Sequence, residues 1–397
     1  MKFIHAGDLH LGNPFMGLTQ VPAWLKGTLQ QATETALQRL VDDAIAEMVD
    51  FVLLPGDLFD TTTPDARAQL TLRQAFETLR SAGIPVYLGF GNHDFVANWQ
   101  NLPTWPENVT VFPAETTTVT LVTKAQERVA ITGFSYTQRH INDNRARLYP
   151  VKQANVDYHI GLYHGALGED GQGDYAPFTL SDMQVKHYDY WALGHIHVRQ
   201  TLQDKPFIGY SGSIQGLNKN ESGPKGYYLV ISEQGELVPT FTPVAPVIWQ
   251  TARVQLASDA PMAIQHIRQT LQNDDDFQLV ELSVTSEDSA LLSLIMNNQL
   301  LAQLIAASTP TDNFFVYNIK LVAANEEVSL PAVDQQYWVQ TADDVFNYDM
   351  LQQLGLKQVQ DAAVLQAFLT PAMLAELKQA VIEKLRLTEM GVATDED

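Results

Sequence analysis

The 397-residue chain contains no cysteine. That excludes disulfides and thiolate metal sites, and leaves oxygen and imidazole as the available metal-binding chemistry. Positive charge is scarce: 24 Lys and Arg stand against 46 Asp and Glu, a net charge of −22. Such a balance excludes a protein that coats nucleic acid by charge alone. No long charge-free apolar run is present, so the sequence reads as globular, with no membrane partner. Histidine is nearly missing from the second half: nine of the ten precede residue 200, and only His266 follows.

Five of those nine histidines sit in short motifs that follow one another in order: Asp8-Leu9-His10, Gly56-Asp57-Leu58-Phe59-Asp60, Gly91-Asn92-His93-Asp94, His164-Gly165 and Gly194-His195-Ile196-His197. Each closes an apolar, β-branched run of the kind that forms a buried strand. Alone, each has an ordinary explanation. A carboxylate after a strand can cap a helix, and Gly-Asn-His-Asp can be a turn. Jointly they supply enough Asp, Asn and His donors for two adjacent divalent ions. Two such ions about 3.5–4 Å apart clamp a phosphate and make a bound water nucleophilic near neutral pH. Asp57 is the natural bridge; Asp8 with His10, His195 with His197, Asn92 and His164 complete the donors. His93 follows a ligand directly and is expected to point elsewhere, as the general acid for the leaving oxygen or as a positive charge on the phosphoryl group. Asp94 is expected to orient His93, and Asp60 to support a ligand histidine. His5, His159, His187 and His266 are read as structural or solvated.

Segments Lys2–Ala6, Phe51–Leu54 and Ile84–Leu88 read as strands separated by helices over Thr28–Met48 and Ala66–Ser81, the first with Leu29, Ala36, Leu37, Leu40, Val41, Ala44 and Ile45 inward. This alternation predicts parallel strands with function at their C-terminal ends. From residue 109 short strands follow without long helices, predicting a second sheet packed on the first. The expected fold is a layered α/β sandwich of two mixed sheets flanked by helices over residues 1–246. Pro239–Pro246 reads as a linker, 247–330 as a small α+β accessory domain with one helix over Ala290–Ala307, and 331–397 as a helical, partner-binding region. Residues 1–246 carry 17 basic and 25 acidic groups, and 247–397 carry 7 and 21. The first strand begins at once, leaving no room for a removable signal, and a cytoplasmic location is expected. Within this acidic chain, Arg139, His140, Arg145 and Arg147 make one basic loop. It reads either as a DNA contact or as a solvated surface loop.

The five motifs resemble the signature of the calcineurin-like metallophosphoesterase superfamily: D-x-H, G-D-x-x-D, G-N-H-[DE], H, then G-H-x-H. The stretches "FIHAGDLHLGNPF", "FVLLPGDLFD", "IPVYLGFGNHD" and "DYWALGHIHVRQ" resemble the SbcD-type DNA-repair exonuclease branch. "GYSGSIQGLNKNESGPKGYYLV" is similar to its YhaO-type members. The resemblance implies that Asp8, His10, Asp57 and His197 hold one metal and Asp57, Asn92, His164 and His195 the other, with His93 catalytic. It implies manganese, with magnesium, iron or zinc as substitutes, and a coiled-coil ATPase partner docked through residues 331–388; a homodimer is a further expectation. Some branches carry His where this chain has Asp60, so their substrate positioning does not transfer. The expected activity is a two-metal DNA exonuclease or endonuclease of repair type using metal-bound hydroxide and His93. The alternatives are a nucleotide phosphodiesterase or phosphatase, and a scaffold that recruits the ATPase.

Overall fold

The computed structural model describes residues 1–15, 17–18, 20–97, 104–169, 171, 173–257, 259–272 and 276–322. The helical region expected over 331–397, with its ATPase-docking role, lies outside the described residues. The chain divides into two compact units. One comprises residues 1–250, 274–279 and 309–314; the other comprises 251–273, 280–308 and 315 onward.

In the first unit, β1 (Lys2–His5), β2 (Phe51–Leu54), β3 (Val86–Leu88) and β4 (Val109–Val111) run parallel, connected through α1 (Ala23–Ala46) and α2 (Ala66–Ser81). β11 (Gly226–Glu233) adds antiparallel to β1, and β12 (Glu236–Pro243) to β11, giving the order β12-β11-β1-β2-β3-β4. A second six-stranded sheet has the order β5-β6-β7-β8-β10-β9. Its members are β5 (Thr117–Val122), β6 (Arg128–Gly133), β7 (Tyr158–His164), β8 (Tyr190–Gly194), β9 (Gln200–Gln203) and β10 (Phe207–Tyr210). Its inner strands are parallel, and its edges β5 and β9 are antiparallel.

Side chains alternate across a strand, so a strand buried on both faces must be apolar at every position. β2 does this. Phe51 and Leu53 join one core with Ile160, Leu162, Tyr190 and Phe207 of the other sheet, while Val52 and Leu54 join Leu37, Leu40, Leu72 and Phe76 of the helices. The outer face of the second sheet packs a third, aromatic core around Trp191, Tyr163, Tyr149 and Tyr188, joined by Met183 of the short helix α3 (Leu180–Gln184). The result is a layered α/β sandwich of two mixed sheets flanked by helices.

Four local expectations are corrected. Ile45 is 37% exposed rather than inward, because it lies in the last turn of α1. Pro239 is not in a linker; it pairs with Val230 in β12, an edge strand where a missing N–H is tolerated. β9 is an addition to the expected strands, since Gln-Thr-Leu-Gln holds one apolar residue and its first two positions are exposed. The single helix over Ala290–Ala307 is two, α5 (Ser289–Met296) and α6 (Gln299–Ala307), divided where Asn298 takes a left-handed backbone.

The three-stranded sheet β13-β14-β15 is formed by β13 (Val247–Leu256), β14 (Phe277–Ser286) and β15 (Phe314–Leu321), accompanied by α4 (Ala260–Leu271), α5 and α6. Asp259 and Asp288 cap α4 and α5 through their side chains. No single described helix is long and apolar enough to cross a membrane.

Candidate metal centre

All five motifs lie at the C-terminal ends of β1, β2, β3, β7 and β8, where parallel strands leave a crevice. The chain turns sharply as it leaves β1, β2 and β8. Asp8, His10, Asp57 and His195 all have positive φ, which is uncommon outside glycine and is held only where surrounding packing imposes it. Two glycines make the convergence possible. A Cβ on Gly91 would lie 2.2 Å from Asp57 Oδ1, and one on Gly56 would lie 2.6 Å from His164 Nδ1.

The loops assemble three donor groups: Asp8, His10 and His197; Asp57, His164 and His195; and His10, Asp60 and His93, the first and third sharing His10. Within each group one donor atom per residue lies within 4.8 Å of the others. Asp57 stands between the first two groups, its Oδ2 lying 3.7 Å from His10 Nε2 and 3.4 Å from His164 Nε2. Asn92 Oδ1 is approached by His164 Nε2 at 2.8 Å and His195 Nδ1 at 3.0 Å.

Asp8 Oδ2, His10 Nε2 and Asp57 Oδ2 are buried with no hydrogen-bond partner. Each such atom costs about 1–3 kcal/mol if nothing compensates it, and more for a charged group. All three are metal-donor atoms facing one cluster, so the residues fit divalent ions. The far sides of these donor side chains are braced. His195 N–H donates to Asp8 Oδ1 and His93 N–H to Asp57 Oδ1, both at 2.9 Å. His10 Nδ1 lies 3.2 Å from Asp60 Oδ1, and His164 Nδ1 3.1 Å from the Pro55 carbonyl.

The electrostatics follow from this crowding. Burial would raise the Asp57 carboxyl, but the charges of His164, His10 and His93 outweigh it and hold Asp57 well below the usual carboxylate range. Burial, reinforced by His164, pushes His195 down to about 3 and keeps that ring neutral, the form that metal binding requires. Burial would lower His197 too. There the hydrogen bond that the ring donates to Glu221 and the charge of Asp8 prevail, and it rises to about 9. The acids thus draw positive charge into the crevice, where divalent ions would satisfy them.

Asp94 differs from its expected contacts. Its carboxylate accepts from Gly91 N and Leu58 N at 2.7 Å each and from Phe59 N at 3.3 Å, which turns it into a brace between two ligand loops. His93 is held instead by Asp60, whose carbonyl oxygen lies 3.0 Å from Nδ1 and whose Oδ1 lies 3.6 Å away. The His93 ring meets His10 edge-on at 4.8 Å.

Three residues near the cluster lie outside the motifs. Buried Glu221 sits 3.0 Å from His197 Nδ1, while Lys225 donates to the His197 carbonyl at 2.7 Å. Tyr175 packs on His195 with ring centroids 4.4 Å apart. Their sequence signal is weak, since all three depend on contacts about twenty residues away or more. The basic loop is largely self-neutralised: Arg145 pairs with Asp143 at 3.0 Å and Arg147 with Asp182 at 3.2 Å, while Arg139 and His140 are exposed.

A family model, calcineurin-like phosphoesterase, matches residues 1–199. The chain belongs to that family of metal-dependent phosphoesterases. It is 40% identical over 259 residues to the uncharacterized metallophosphoesterase YhaO of Bacillus subtilis (strain 168), covering 64% of this chain and 63% of that protein. It is 24% identical over 257 residues to the DNA double-strand break repair protein Mre11 of Thermoplasma acidophilum, covering 59% and 63%. It is also 24% identical over 277 residues to a subunit of the SbcCD nuclease of Staphylococcus saprophyticus, covering 62% and 69%. The chain thus spans just under two thirds of the length of the first two relatives.

Proposed function

We propose that this chain is a two-metal phosphodiesterase that cleaves nucleic acid, with DNA ends as its substrate and manganese as its metal. The observation that carries the metal-dependent core is the set of three buried, unpartnered donor atoms on Asp8, His10 and Asp57. Asp8, His10, His197 and Asp57 would hold one ion, and Asp57, Asn92, His164 and His195 the other. Carboxylate, imidazole and amide oxygen without thiolate suit manganese, magnesium, iron and zinc alike. Bound divalent ions neutralise the phosphoryl oxygens and lower the pKa of water.

The chain's own residues supply the rest. Hydrolysis adds hydroxyl to phosphorus and a proton to the departing oxygen. His93 is half-buried and fixed at Nδ1 by the Asp60 carbonyl, so its Nε2 is the position that delivers that proton. Asp60 links both functions, since it also holds His10. The DNA reading is supported by the names of two relatives, a double-strand break repair protein and a nuclease component. The second name also supports a partner protein for this chain.

The pairing of Arg145 and Arg147 with acids favours a second reading, a small phosphoester, because it removes most of the charge available to track a polyanion. The two are separated by assaying end-labelled duplex and single-stranded DNA beside cyclic nucleotides, with Mn²⁺ or Mg²⁺ and an Asp57→Asn control. Shortening of labelled DNA by the wild-type chain alone supports the nuclease. Turnover confined to cyclic nucleotides overturns it.

A further inference from the structure

Outside the metal cluster, unpaired buried atoms gather at one further place. Of the buried side-chain atoms without a hydrogen-bond partner among the described residues, three belong to Asp8, His10 and Asp57. Two more, Thr116 Oγ1 and Arg145 Nε, belong to residues that line a single cavity. It measures about 310 Å³, at the lower end of the range of about 300–1,000 Å³ typical of small-ligand sites. Thr116 comes from the turn between β4 and β5, Ser135 and Thr137 from the stretch after β6, and Ile141, Arg145 and Leu148 from the loop that follows. None of these residues belongs to the five motifs. The wall is tied down where it nears the metal centre. Ser135 Oγ donates to the Phe112 carbonyl at 2.6 Å and accepts from Phe90 N–H at 3.0 Å, just before the Gly91-Asn92 turn.

The groups left over are of one kind. Thr116 contributes a hydroxyl, and Arg145 a guanidinium, the side chain best matched to an oxyanion. Asp143 Oδ2 lies 3.0 Å from Arg145 Nε but off the line of the N–H, so the two form an ion pair and no hydrogen bond. Asp143 is 68% exposed, and an exposed pair of this kind is weak. Its carboxylate therefore marks the place of an external oxyanion: over Arg145, in a cavity that Thr116 also lines. Glu115, the other acid on the lining, is exposed. Ile141 and Leu148 offer an apolar wall to whatever the oxyanion carries. A phosphoesterase releases either inorganic phosphate or a phosphate monoester, so the oxyanion that this family's chemistry supplies is a phosphate.

We infer that this cavity is a phosphate site distinct from the metal centre, in which a product phosphate displaces Asp143 from Arg145 and accepts from the Thr116 hydroxyl. The inference needs only that the chain is a phosphoesterase. It stands equally for a nucleic-acid and for a small-ester substrate.

The test titrates the full chain with inorganic phosphate and with adenosine 5′-monophosphate by calorimetry, in chelator so that no metal holds either probe. The wild-type chain is expected to bind one phosphate group per chain. Arg145→Gln should weaken that binding about 10- to 100-fold, and Thr116→Val about 3- to 10-fold. Asp143→Ala should tighten it about 2- to 5-fold, a gain that misfolding does not imitate. All three variants should keep the wild-type circular dichroism spectrum and Mn²⁺ affinity. Tighter binding of the nucleotide identifies the occupant as a monoester, and tighter binding of inorganic phosphate identifies it as the free ion. Absence of saturable binding overturns the site, as does binding that needs Mn²⁺. Affinities unchanged in all three variants also overturn it, since the phosphate would then sit elsewhere.

Discussion

Glu221 Oε1 lies 3.0 Å from His197 Nδ1, and the same carboxylate accepts from Leu217 N–H at 3.1 Å through its other oxygen. The bond fixes the imidazole tautomer and leaves Nε2 for the cluster, as carboxylates behind metal-binding histidines do. Glu221→Gln keeps the shape and removes the charge. We expect it to weaken the first metal-binding step about 10- to 100-fold in a calorimetric Mn²⁺ titration, with the circular dichroism spectrum unchanged. Undiminished affinity would remove Glu221 from the site.

His93 and Asp94 are neighbours with separable roles. His93→Ala removes a half-buried ring whose one hydrogen bond is to the Asp60 carbonyl, so metal content and most of the stability should persist while turnover falls about 10²- to 10⁴-fold. Asp94→Ala strands the N–H groups of Gly91, Leu58 and Phe59 in a buried setting. It should lower the stability read from urea unfolding, by roughly 1–3 kcal/mol for each group left unmade. Equal stability losses in the two variants would contradict this division.

Gly91→Ala tests the close approach of the loops. The new methyl would sit 2.2 Å from Asp57 Oδ1, so either Asp57 or the loop must move. A displacement of about 1 Å at a catalytic centre costs on the order of 100-fold in rate. Retention of wild-type turnover in that variant would show that the loops do not need this contact.

The layers were legible because burial imposes a pattern. Phe51-Val-Leu-Leu54 must be apolar throughout to face two cores, and the motifs at strand ends follow from parallel topology. Donors close in sequence, such as Asp8 with His10, declare themselves by spacing. What escaped is long-range or polar. Glu221 reaches His197 across 24 residues, and no local periodicity marks it. Asp94 is adjacent to His93, yet the turn directs its carboxylate to backbone N–H groups, leaving His93 to Asp60. β9 is an exposed edge strand without an apolar alternation to read.

Acid should loosen the fold through His159. Its Nδ1 accepts from Gln153 N–H at 3.2 Å and its Nε2 meets Thr132 Oγ1 at 2.8 Å, so the buried ring is neutral. Burial, aided by the Lys152 charge, pushes its pKa from 6.5 down to about 4. A depressed pKa means the unfolded chain takes up the proton first. Its contribution is therefore complete above pH 6.5 and is lost as pH falls from there to about 4, at up to about 1.4 kcal/mol per pH unit. Urea midpoints measured across that window should fall less steeply for His159→Gln than for the wild-type chain. Identical slopes would remove His159 as a contributor.

The most direct measurement is metal stoichiometry coupled to hydrolysis. Purified wild-type chain, stripped with chelator and titrated with Mn²⁺, should bind two ions per chain and regain phosphodiester hydrolysis as the second one loads. Asp57→Asn, which removes the carboxylate shared between Asp8, His10 and His197 on one side and His164 and His195 on the other, should lose the second ion and the hydrolysis together. Full hydrolysis by the stripped protein, or by Asp57→Asn, would contradict the account.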